Sequence, residues 1–271
     1  MYIDSHQHFW NYDPKRDAWI TDQMSAIRRD FGPRDLEGLL QKNKIDGCVA
    51  VQSDQSEDET RFLLSLADQH DFIKGVVGWV DLFADNLGER LSHFSSFDKF
   101  KGIRHIVQDE PLGFMDTPEF QNGIRVLGGF DKTYDILIKP PQLMEAITLV
   151  NTFPNQKFVL DHIAKPRISK GLDSKWASEI KELAQHPNLY CKVSGMVTET
   201  DEFKWTKGDF TEFLQLITDA FGTDRIMFGS DWPVCLLAAS YNEVHSIITD
   251  FYSASEVDKV MGENAVRFYN L

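Results

Sequence analysis

Basic residues are scarce in this chain of 271: 28 Lys and Arg stand against 42 Asp and Glu, a formal net charge of -14. So acidic a surface repels phosphate backbones, and nucleic acid is not an expected partner. Cysteine is scarcer still. Cys48, Cys191 and Cys235 are odd in number and widely spaced, which excludes a disulfide framework. Cys48 and Cys191 sit in apolar runs (GCVAV, LYCKV) as small buried thiols, so a reducing, cytoplasmic location is expected. No apolar stretch is long enough to span a membrane. Met1 runs directly into the first predicted strand, and no secretory leader is expected. Also missing are a Pro/Ser-rich linker, a low-complexity segment and the glycine-rich phosphate loop usual in an open doubly wound sheet. One domain over 1–271 is expected.

What the sequence does contain is alternation. Short β-rich runs fall at 2–6, 47–52, 75–80, 102–107, 135–139, 157–161, 189–193 and 225–229. Most are continuously apolar, the pattern of parallel strands buried on both faces. Longer amphipathic stretches separate them. SEDETRFLLSLADQH places Ser56 and Glu59 in capping-box spacing. PPQLMEAITLVNTF, SKWASEIKELAQH, DFTEFLQLITDAF and SYNEVHSIITDFY show the same helical period. DTPEFQNGIRVLGGF and DNLGERLSHFSSF carry it less clearly, because glycine lowers helix propensity. SASEVDKVMGENAVRFY closes the chain as a further predicted helix. Eight strand–helix units in this length predict a single (β/α)8 TIM barrel.

A barrel places catalytic groups at the C-terminal ends of its strands. Of eight histidines, His6 and His8 close strand 1, His105 ends strand 4 and His162 ends strand 6. His70, His93, His186 and His245 fall in or beside helices. Strand 8, RIMFGSDWP, delivers Asp231 to the mouth, and Pro233 halts any extension. Arg104, Lys139 and Lys165 add cations at strand ends. Trp10 and Trp232 read equally as rim packing or as walls of a substrate pocket. Asp161 reads as an orienting group, Lys192 as an internal ion-pair partner, and Asp109 and Glu110 as loop carboxylates.

The ordered set DSHQHFW, KGIRHIVQDEP, VLDHIAKP, YCKVSG and RIMFGSDWPV resembles the amidohydrolase superfamily, of the amidohydrolase 2 type. The similarity is greatest to the sugar-acid lactonase branch that includes L-fuconolactonase and L-rhamnonolactonase. Pyrone-dicarboxylate lactonases are more distant. The resemblance implies a metal-dependent-hydrolase type of barrel that opens a lactone to its free acid. It matches His6 and His8 to the strand-1 pair, His162 to the strand-6 histidine and Asp231 to the strand-8 aspartate. Two departures stand out. Strand 5 ends in Lys139 and Pro140 rather than a histidine, and strand 4 offers Arg104 and His105 rather than a metal-bridging lysine or glutamate. A binuclear centre is therefore not expected. One zinc or other divalent ion on His6, His8 and Asp231, with an open position, is one alternative; catalysis without a metal is the other.

The resulting expectation is water attack with Asp231 as general base. Arg104, His105 and His162 would stabilise the oxyanion. Arg104, Trp10, Lys139, Lys165 and Trp232 are the expected substrate contacts. A zinc-dependent decarboxylase of aromatic or unsaturated acids and a non-catalytic sugar-acid-binding barrel are the rival functions. The expected partner is a small lactone, and the sequence is compatible with a homo-oligomer.

Overall fold

The computed structural model describes residues 1–271. Eight strands form one parallel sheet in the order of the chain: β1 (Ile3–Gln7), β2 (Gly47–Val51), β3 (Ile73–Gly78), β4 (Phe100–His105), β5 (Thr133–Ile136), β6 (Phe158–Leu160), β7 (Leu189–Val193) and β8 (Ile226–Phe228). Each neighbouring pair from β1–β2 to β7–β8 is parallel. The last edge closes differently. Beyond the end of β8, Asp231 N donates to His6 O at 2.8 Å and His8 N donates to Trp232 O at 2.7 Å. The barrel is thus sealed at its mouth, by the residues that carry the candidate chemistry.

The helices are α1 (Pro33–Lys42), α2 (Glu57–Gln69), α3 (Leu87–Ser95), α4 (Pro118–Leu127), α5 (Leu143–Thr152), α6 (Ser174–Leu183), α7 (Gly208–Phe221), α8 (Tyr241–Phe251) and α9 (Asn264–Tyr269). Helix α1 falls outside the stretches that periodicity singles out. The last predicted helix is interrupted by a π turn at Lys259–Glu263. Gly262 in that turn packs on the Met1 carbonyl, where a Cβ would lie 1.9 Å from the oxygen. The expected capping box of α2 is only half formed. Ser56 Oγ accepts from Glu59 N, but the Glu59 carboxylate accepts from Ser53 N, Ser53 Oγ and Asp54 N instead. The complete box is at α8, between Ser240 and Glu243. No helix is long and apolar enough to cross a membrane.

Apolar faces of helices and strands form one large buried cluster between the two layers. A second, smaller cluster fills the lower barrel with Ile3, Val49, Val51, Val77, Val159 and Met227, closed by Phe268 and Tyr269 of α9. Above it the barrel interior turns polar. Lys192 Nζ, fully buried, meets Asp135 Oδ2 at 2.5 Å and Asp161 Oδ1 at 3.1 Å. Tyr269 also donates to Asp135 at 2.9 Å. Burial pushes the Asp135 carboxyl up to about 6, against the pull of Lys192. Replacing Lys192 by Met is expected to destabilise the protein by about 3–5 kcal/mol, because two interior carboxylates lose their shared cation. Urea unfolding checks this, and an unchanged midpoint would contradict it.

Candidate active site

Strict strand alternation puts Asp4, His6 and His8 on one face. A register shift between Asp4 and Gln7 breaks that pattern. Asp4 faces outward, accepting from Ser230 N, Ser230 Oγ and the Tyr241 hydroxyl of α8 at 2.9, 2.5 and 3.0 Å. It also accepts from His6 N at 3.2 Å. His6 faces the interior, where Asp161, Lys192 and Arg104 surround it. Such a bulge re-aims a side chain next to a site. Here one buried carboxylate ties the strand that bears His6 to the turn that bears Asp231.

Three donor atoms converge. His6 Nε2 lies 3.2 Å from His8 Nε2, His8 Nε2 lies 3.4 Å from Asp231 Oδ1, and His6 Nε2 lies 3.9 Å from the same oxygen. Ligands about 2.0–2.1 Å from a tetrahedral ion sit roughly 3.3 Å apart, so this triangle fits one divalent cation. At His8 the outer nitrogen agrees: Nδ1 faces Val51 O at 2.8 Å, which leaves a lone pair on Nε2. His6 Nδ1 lies between Asp161 Oδ1 at 3.3 Å and Lys192 Nζ at 3.2 Å, and Arg104 Nη1 stands 3.2 Å from His6 Nε2. Burial drives the His6 imidazole well below its ordinary pKa, despite Asp161, and so favours the neutral, lone-pair-bearing ring. A second triad, His6, Asp161 and His162, also brings its ligand atoms within 4.8 Å of one another. Its carboxylate is already committed to Arg104 and Lys192, so the first triad suits a cation better.

His162 reaches the same place by an unusual backbone. His162, Ile163, Ala164 and Lys165 all have positive φ, between 48° and 60°. Such left-handed conformation is costly for residues with a Cβ, and it clusters at functional sites. The turn aims His162 Nδ1 at Ser194 Oγ, 2.9 Å away. A Ser194 hydroxyl donating to Nδ1 leaves Nε2–H for the cavity. Burial lowers the His162 pKa to about 4, so the ring is neutral at pH 7. Gly195, itself at φ 65°, packs beneath it; a Cβ there would stand 2.5 Å from His162 Nδ1. Burial would raise the Asp231 carboxyl, but the imidazoles of His162, His8 and His6 outweigh it and hold the group below the ordinary carboxylate range.

A cavity of about 200 Å³ opens over these groups. His8, Trp10, Arg104, His162, Lys165 and Asp231 line it. Four predicted site residues sit otherwise than expected. His105 points away from the mouth, because alternation along β4 allows only one of Arg104 and His105 inside; it stacks on Phe114 and pairs with Glu110 at 2.9 Å. Trp232 is buried among Phe9 and Phe31 and is core, not a pocket wall. Lys139 is about half exposed and pairs with Asp109 at 3.1 Å, outside the lining. Arg104 lines the cavity, yet its donors are taken by Asp161 and by the side chain and carbonyl of Gln52. Lys165 is the freer cation, 3.7 Å from Glu199.

Sequence reasoning missed Trp19, Gln52, Ser53, Gln108, Ser194 and Gly195. Trp19 lies in the long segment between β1 and α1, and Gln52 and Ser53 follow β2 directly. Gln52 and Ser53 were signalled only by their place after a strand end, whereas Gln108, Ser194 and Gly195 lie inside the motifs KGIRHIVQDEP and YCKVSG.

The histidine–aspartate cluster lies at the C-terminal mouth of the (β/α)8 barrel, where enzymes of this fold carry their active sites. The amidohydrolase family profile matches residues 3–271, and the chain belongs to that family. It is 38% identical to an L-fucono-1,5-lactonase of Burkholderia multivorans, over 99% of this chain and 96% of that protein. It is 34% identical to the L-fucono-1,5-lactonase of Burkholderia ambifaria, over 99% and 95%. A crystal structure of a Burkholderia multivorans amidohydrolase with bound zinc superposes with a TM-score of 0.95 at 39% identity, covering 100% of this chain and 99% of that one.

Gly195→Ala is expected to cost about 1–2 kcal/mol from its left-handed backbone alone, and to displace the His162 ring. Urea unfolding and a structure of the variant check the two effects.

Proposed function

We propose that this barrel hydrolyses a sugar-acid lactone, with Asp231 taking the proton from the attacking water. The observation that carries the reading is the meeting of the Asp231 carboxylate with His8 and His162 in one cavity, with His6 buried directly behind them, 3.9 Å from the same carboxylate. The enzyme is a hydrolase acting on a lactone ester, and its substrate is a small molecule. L-fucono-1,5-lactone, the substrate named for the relatives, is the first compound to test. Three buried free thiols suit a reducing, cytoplasmic compartment.

Asp231 is held ionised, the form that accepts a proton. As the water oxygen bonds to the carbonyl carbon, that proton passes to Asp231 and negative charge collects on the carbonyl oxygen. His162 Nε2–H and the Lys165 ammonium are the donors available to that oxyanion. Arg104 acts through Asp161 and Gln52 rather than on the substrate. The tetrahedral centre collapses, the ring C–O bond breaks, and Asp231 returns its proton to the departing ring oxygen. The product is an open polyhydroxy acid. His6, His8 and Asp231 would hold one divalent cation, which supplies Lewis-acid polarisation of the carbonyl when bound. A decarboxylase would need a cationic cradle for its substrate carboxylate; with Arg104 committed to Asp161 and Gln52, Lys165 alone among the lining Lys and Arg side chains is left for one, which weighs against that rival.

Asp231→Asn is expected to keep the fold and lower kcat by at least about a hundredfold; near-wild-type turnover of a confirmed lactone would remove Asp231 from this role. Elemental analysis is expected to return about one divalent metal ion per chain, lost in His8→Ala. A fully active, metal-free preparation would sink the metal assignment while leaving lactone hydrolysis intact.

A further inference from the structure

One side chain in the cavity takes no part in the chemistry above. Gln108 follows β4, and its backbone N–H is fixed by the Leu137 carbonyl at 2.9 Å. It lines the same cavity as Asp231 and His162, yet its Oε1 is buried without a hydrogen-bond partner. The neighbouring polar groups are engaged: Ser53 Oγ donates to Glu59, Arg104 is bound to Asp161 and Gln52, and Asp109 pairs with Lys139. No protein group pairs with either end of the Gln108 side-chain amide, and an unpaired primary amide beside an open cavity is placed for a polar group of a ligand.

Position says which part of the ligand it meets. Strands β4 and β8 are four apart in a ring of eight, so the segments that carry Gln108 and Asp231 leave the barrel from opposite sides of its mouth. A small ring with its carbonyl at Asp231 turns its opposite edge towards Gln108. Chemistry says what that edge carries. A primary amide offers both an acceptor and donors, the complement of an alcohol. The Asp109 carboxylate, lining the cavity one residue on, disfavours an anionic group there. Trp19, 44% exposed, lines the same cavity and supplies aromatic surface suited to the C–H face of a sugar ring.

We propose that Gln108 is a specificity-determining residue that recognises a ring hydroxyl on the lactone edge remote from the carbonyl. The assignment rests on the lactonase reading. The test compares wild type with Gln108→Leu on a sugar-acid lactone and on congeners that each lack one hydroxyl. It reads kcat/KM, or the inhibition constant of a congener that is not turned over. The variant is expected to lose about 10- to 100-fold on the full lactone, mainly through KM. That loss should vanish on one congener, the one lacking the hydroxyl that Gln108 reads. An equal loss across the panel, or no loss at all, overturns the assignment and leaves lactone hydrolysis standing. If the wild type opens no lactone, the functional reading fails first and takes the assignment with it. Gln108→Ala carries the same comparison should the leucine variant fail to fold.

Discussion

The site depends on the seam where the last strand returns to the first. Two backbone hydrogen bonds, Asp231 N to His6 O and His8 N to Trp232 O, join the segments there. Asp4 reinforces them from outside, accepting from His6 N and from both the backbone and the hydroxyl of Ser230. Burial raises the Asp4 carboxyl to about 6, against the pull of these donors. Chain closure and site assembly are therefore one event: the barrel cannot seal its mouth without bringing the strand-1 imidazoles to the strand-8 carboxylate.

Behind the site, the barrel interior holds charge where many barrels would hold aliphatic side chains. Lys192 lies between Asp135 and Asp161, and Asp161 in turn meets Arg104 and His6. Buried ion pairs of this kind are weak evidence for stability, because desolvation offsets much of the attraction. Their value here is orientation. Lys192 and Asp161 flank one nitrogen of His6, Asp161 takes one arm of Arg104, and Gln52 holds the other arm. Neutral imidazoles and an ionised Asp231 are the combination that binds a cation or accepts a proton.

Much of this was legible without coordinates, and the limits have physical causes. The apolar runs located all eight strands, although β3, β4 and β5 begin two residues earlier than expected. An offset of two preserves strand parity and so changes no side chain's face; His105 is turned out because it is adjacent to the inward Arg104. His6 shows the reverse problem: parity alone would align it with Asp4, and the bulge separates them. Trp232 was ambiguous because a tryptophan beside a site and one in the core look alike in sequence. Gly195 was missed because its role lies in contact with His162, 33 residues away. Helix α1 was missed because it begins at Gly32-Pro33 after a long irregular segment that carries no periodic signal.

The sequence by itself determined the architecture and the address of the chemistry, because hydrophobic period and strand-end placement are local properties of the chain. Tertiary structure decided which polar residues enter the cavity. Arg104 is inside and His105 outside, Trp232 is core, and Gln108 lines the cavity with its Oε1 unpaired. These outcomes follow from register, from a left-handed turn and from packing between segments far apart in the chain. Hydrogen bonds across a closing barrel fix them, and no local pattern encodes such bonds.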